Sequence, residues 1–364
     1  MTEKESKKIL DEILDILRKS EDCIPWIVKG VETLDEFCSV LKDDPENSWL
    51  VWHCLTTDFI MKHREAFALS GIYANENRSG GCGDNVTFCD GEGTFRFRGS
   101  FTVIVNGKCT IFLQGGCELF CENDARCNIF VRDSSEVHDA YKCNIDALDQ
   151  AKIYDADSCD ITARDLVTVT ALNSKILGDG SAHIKAENSE ITLCGSSSLE
   201  AYDCHHIVAT DRAVVEAKKC RNIAASGNSA ITCEHCSDVE AQDNSVVYAH
   251  KDTEVQAGGC ATVFAYGLSK VIAAGTTCIY AKDKSEAYVS GRSFVRAYDY
   301  AHVEANENAT VVAIDYEGFC FIEDRAVFIN KLNGEIHYAS PKLTFIDETI
   351  GKSNEADAED DMPD

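Results

Sequence analysis

Between residues 199 and 327 an apolar residue recurs at every eighth position. The helical period is 3.6 and the strand period two, so neither alone makes an eight. Seventeen such anchors run from Leu199 to Val327, and fifteen are Leu, Ile or Val, with Ala287 and Phe319 as the exceptions. Two residues after the anchor, thirteen of the seventeen positions are alanine. Two residues before it the chain prefers Ser, Ala or Thr, as at Ser229, Ser245, Ala261 and Ala301. Four residues after it Asp or Gly dominates, as at Asp203, Asp243, Gly259, Asp283 and Asp299. Positions two apart on a strand face the same way, so the Ser/Ala, anchor and alanine trio points inward. Asp and Gly tolerate left-handed backbone and supply a corner. Eight residues are thus one short strand and one turn. The same beat runs upstream through Val137, Ile145, Ile153, Ile161 and Val169, slips by single residues between Val169 and Ile191, and fades towards Val86.

The beat is doubled on the outside. Three residues after the anchor, one parity holds Tyr202, Lys218, Glu234, His250, Tyr266, Lys282 and Tyr298, while the other holds mostly small residues such as Ser226, Gly258 and Ala274. Cys127, Cys143 and Cys159, and again Cys204, Cys220 and Cys236, stand sixteen apart. Two octads therefore make one coil. The pattern predicts a mainly β fold: a two-sheeted parallel β-solenoid of about 16 residues per coil, over residues 76–335. Residues sixteen apart should pair, burying Val247 and Val263 on one sheet and Val255 on the other. Residues 1–75 read differently: Ile9, Leu10, Ile13, Leu14 and Leu17 form a helical stripe, predicting a small N-terminal α-helical domain that caps one end. Trp26, Trp49 and Trp52 all fall in it, which implies a small core of its own. The stretch 336–351 breaks the rhythm and is expected to cap the other end, and 352–364, with no apolar anchor, to be a disordered acidic tail.

Charge narrows the function. The net charge is −28, shared along the chain rather than confined to the tail. Such a surface repels nucleic acid and anionic membranes and attracts basic proteins. The N-terminus, "MTEKESKKILDEILDILRKS", has no apolar signal core, and no stretch has transmembrane length, so a cytoplasmic location with 19 reduced cysteines is expected. Octads such as "VRAYDYAH", "VEANENAT" and "LEAYDCHH" resemble the A-Y-D-S-A-x-V octapeptide-repeat β-solenoid proteins of gut bacteria and their phages. The resemblance covers roughly residues 130–330 and leaves out the helices and the tail. It implies the repeat class and brings no catalytic residues with it. This chain departs from the regular form in its cysteines and slipped octads.

Candidate chemistry is sparse. "CEHC" at 233–236 and "CHH" at 204–206 suggest zinc, but the octad rule places Cys233 inward and Cys236 at the start of the next strand, their thiols apart. No metal and no cofactor are expected. Nucleophile, phosphate-loop and dinucleotide motifs are missing, and sixteen-residue coils leave no room for a cleft, so the chain is not expected to be an enzyme. One outward column stands out. It runs Glu200, Glu216, Thr232, Tyr248, Phe264, Tyr280, Arg296, with His250, Tyr266, Lys282 and Tyr298 beside it. Stacked rings are often only cross-strand neighbours, and corner aspartates only turn residues. Rings beside Asp203, Asp243, Asp283 and Asp299 are also the composition of a protein-binding hot spot. The expected function is a non-enzymatic acidic binding protein. It would inhibit or occupy a basic nucleic-acid-binding protein, such as a nuclease, by nucleic-acid mimicry, and a phage anti-defence role would fit. Direct nucleic-acid or membrane binding is not expected. The alternative is a structural spacer or assembly subunit that forms homo-oligomers through its helices or aromatic sheet face.

Overall fold

The computed structural model describes residues 2–19, 30–43, 56–80, 86–122, 125–339 and 344–346. The chain forms two compact units, Met1–Glu190 and Ile191–Asp364. Both are β-solenoid, with successive strands alternating between two parallel sheets.

In the second unit the octad becomes geometry directly. Val247 pairs with Val263 in one sheet, while Val239 pairs with Val255 and Val255 with Val271 in the other. Each pairing joins residues sixteen apart. The inward trio is fully enclosed: Ser245, Val247 and Ala249 are all 0% exposed. Alanine fills most of the second inward position because two sheets joined by such short corners leave little space between them. Corners adopt left-handed backbone at Asp211, Asp243, Asp283 and Asp299. Where glycine replaces Asp, at Gly227, an added Cβ would sit 2.9 Å from the Asp211 backbone nitrogen, so the corners also stack tightly.

Coil length is not constant. In the first unit Ile161 pairs with Ile176 and Val169 with Ile184, fifteen apart. A bulge between Ile153 and Ala156, with Asp155 at φ 53°, puts Ala156 inward. Near the C-terminal end the chain gains a residue instead: Val303 pairs with Cys320 and Val311 with Phe328. The expected anchors Phe319 and Val327 therefore turn outward, and Cys320 and Phe328 take the core. The extra residue lies in Asp315–Gly318, where Asp315 turns at φ 46° and Gly318 abuts the Ala301 carbonyl too closely for any Cβ.

The ends are closed differently. The helix Glu3–Lys19 buries Ile9, Leu10, Ile13 and Leu17. These join Leu34, Phe37, Ile60 and Phe67 in one core with Ile72, Phe88 and Ile104 of the first strands. The helical core is thus shared with the first coil, because the open coil end supplies the apolar surface that a short helical segment lacks. Thr33 and Glu36 form a reciprocal cap on the second helix: Glu36 N–H donates to Thr33 Oγ1 at 3.1 Å, and Thr33 N–H to Glu36 Oε2 at 3.1 Å. Parallel pairing begins at Ile72, opposite Phe88. Trp26, Trp49 and Trp52 lie outside the described residues. At the other end Ile336–Tyr338 runs antiparallel to Val327–Asn330, and Thr344–Ile346 antiparallel to Phe319–Ile322. The chain thus turns back to cover the last strand of each sheet, whose free N–H and C=O groups would otherwise template aggregation. The tail 352–364 lies outside the described residues. No helix among those described is long and apolar enough to cross a membrane.

Candidate partner-binding surface

The outward column is a physical stack. Tyr248, Phe264, Tyr280 and Arg296 are register neighbours on successive coils. The Tyr248 and Phe264 rings lie 4.8 Å apart at 7°, and Phe264 and Tyr280 4.4 Å apart at 13°. Arg296 closes the row with its guanidinium 5.2 Å from the Tyr280 ring. Two residues along, His250 stacks on Tyr266 at 4.8 Å, and Lys282 Nζ sits 5.9 Å from Tyr266 and 5.0 Å from Tyr298. Strand spacing of ~4.8 Å is close to ring-stacking distance, so register alone produces both rows. Ring faces are used up against neighbouring coils, and ring edges and hydroxyls face outward. Sequence spacing found the rings but not the part played by Lys282 and Arg296, which extend the stacks as cations.

The acidic residues divide into two kinds. Glu200 and Glu216 are register neighbours at the head of the same row and both are exposed. Neither has a cation within ion-pair distance among the described residues, whereas nearby Glu234 pairs with Lys218 at 3.8 Å. The corner acids are occupied. An Asp243 carboxylate oxygen accepts the Gly227 N–H at 3.1 Å, Asp283 that of Gly267 at 2.9 Å, and Asp299 that of Asp283 at 3.2 Å. Asp203 adopts φ 51° and donates its N–H to the Lys218 carbonyl at 3.0 Å. The corner aspartates are therefore turn residues first. They add fixed negative charge to the edge, while Glu200 and Glu216 are free to meet a ligand.

Sixteen cysteines among the described residues are free thiols, most of them buried in inward columns. Cys143 Sγ accepts the Cys127 N–H at 3.3 Å, and Cys159 Sγ accepts that of Cys143 at 3.4 Å. The same corner slot is taken next by Ser174, whose Oγ accepts the Cys159 N–H at 3.0 Å. The column is a ladder of backbone caps. Cys233 and Cys236, expected to point apart, are both buried, and the Cys236 Sγ donates to the Ala217 carbonyl at 3.4 Å. The corner between them turns Cys236 back into the same core. The Cys236 side chain and burial push the Cys233 thiol well up, and the Cys220 and Cys233 side chains pull Cys236 down. No group of three or more His, Cys, Asp or Glu among the described residues is arranged to hold a metal ion. No family model matches the chain, and no curated protein or solved structure matches it.

Proposed function

We propose that this is a non-enzymatic binding protein. Its outer row from Glu200 to Arg296 engages a basic, nucleic-acid-binding protein and occupies the surface that protein uses for nucleic acid. The observation that carries this reading is the Glu200–Glu216 pair. Two like charges one coil apart repel, and neither has an ion-pair partner among the described residues. A cationic partner would relieve them, and the ring edges of Tyr248, Phe264 and Tyr280 further along the row offer it an apolar anchor. The net charge of −28 steers such a partner in and keeps polynucleotides away.

A panel of basic nucleic-acid-binding proteins, immobilised at low and high salt with and without duplex DNA, tests the proposal. At least one should retain the chain at low salt, release it at high salt and release it when DNA is added. Retention that DNA does not compete would end the mimicry reading. A salt-resistant homo-oligomer with no partner captured would favour the spacer.

A further inference from the structure

A second ring stack lies in the first unit, and its rim carries the opposite charge. In the strand Glu92–Gly99, "EGTFRFRG", Phe95 and Phe97 point into the core while Arg96 and Arg98 point out. Register places Ser79, Arg96, Phe112 and Phe130 on successive coils, with Gln114 beside Arg98. Phe112 and Phe130 stack at 4.7 Å and 8°, and the Arg96 guanidinium lies 4.5 Å from the Phe112 ring. Beyond Arg96 the row stops, because Ser79 and Gly80 are too small to continue it. The space opens into a cavity of about 690 Å³, lined by these residues with Arg98, Phe101 and Arg132.

Its charge is anomalous. In a chain of net charge −28, three arginines share one cavity, and none has a carboxylate within ion-pair distance among the described residues. Two acids adjacent in sequence or register have partners of their own. Asp133 accepts the Gly115 N–H at 3.0 Å, and Asp146, next along the Phe130 row, pairs with Arg164 at 3.4 Å. Arginines are well suited to phosphate, and the open face of a guanidinium to a flat ring. We propose that this cavity binds a nucleoside phosphate. The base continues the row over Ser79, stacked on Arg96, and the phosphates lie between Arg98 and Arg132. A free nucleotide suits the site better than a polynucleotide, because every further phosphate of a strand must approach a strongly acidic protein. The volume is within the usual range for small-ligand sites.

Calorimetry on the full chain with ATP, adenosine, pyrophosphate and a short oligoadenylate tests this. ATP should bind saturably, and adenosine and pyrophosphate each at least about tenfold more weakly, since each fills half the site. The double variant Arg98→Gln with Arg132→Gln should lose ATP, and Ser79→Phe, which fills the ring slot, should lose it while keeping weak pyrophosphate binding. Arg325→Gln, outside the cavity, should bind as the parent does, and thermal melts confirm that each variant is folded. Four results would overturn the proposal: no saturable ATP binding up to about 5 mM; pyrophosphate binding as tightly as ATP; variants that bind unchanged; or oligoadenylate binding more tightly than ATP at physiological salt.

Discussion

A row of rings closed by an arginine occurs in each unit, built by the same device and set in opposite surroundings. Tyr248, Phe264 and Tyr280 end on Arg296, and Phe130 and Phe112 end on Arg96. In both, parallel register brings flat side chains to stacking distance and a guanidinium closes the row. The difference is in the rim. The first row is headed by unpaired Glu200 and Glu216, whereas the second is flanked by Arg98 and Arg132. Stacking is thus a consequence of the fold, and the charges around a stack decide what it can bind. Ring columns alone do not mark a site.

The largest effect comes from breaking the register that makes a stack. Val263 is 0% exposed and sits one residue before Phe264. Val263→Asp buries a charge with no partner and should cost on the order of 4 kcal/mol. Urea denaturation should show it, and the ring signal in near-ultraviolet circular dichroism should fall with it. A stability close to the parent's would mean that the inward trio is not the core. A smaller effect on folding, but a complete one on binding, is expected when Tyr248, Phe264 and Tyr280 are all changed to serine. Each lost contact should cost at most about 1 kcal/mol, so the variant stays folded. Partner capture should disappear. Undiminished capture by the folded variant would reduce the acidic-rimmed row to a by-product of register.

The two rows also differ in how plainly the sequence announces them. Residues 248, 264 and 280 are spaced sixteen apart within a clean octad run, so their stacking followed from counting. Phe112 and Phe130 pair although they are eighteen residues apart, because this coil is longer at its corner. Counting misses that row, and "FRFR" at 95–98 is the one local signal of it. The same limit explains the misplaced anchors at Phe319 and Val327, where one added residue before Gly318 shifts the phase without disturbing composition. It also explains the "CEHC" thiols, since a period fixes which way a strand residue points but not how a corner folds back. Sheets, period and inward residues were legible. Corner geometry, and the ion pairing that separates free acids from occupied ones, depends on atoms that no spacing rule reaches.

The smallest expected effect tests the rim itself. If Glu200 and Glu216 repel each other in the free chain, then Glu200→Gln with Glu216→Gln should raise the melting temperature slightly at low salt. The gain should vanish near 1 M salt, where screening reaches only about 3 Å. The opposite rim should answer differently. Arg98→Gln with Arg132→Gln removes two positive charges from a chain of net charge −28, so relief between the arginines is offset by greater repulsion across the rest of the molecule. The pair of melts therefore compares a local repulsion that reinforces the global one with a local repulsion that opposes it. A glutamate double variant that melts no higher than the parent at low salt would show that the two carboxylates are already relieved. The acidic row would then lose its reason to bind a basic partner, even if the rings above it remained stacked.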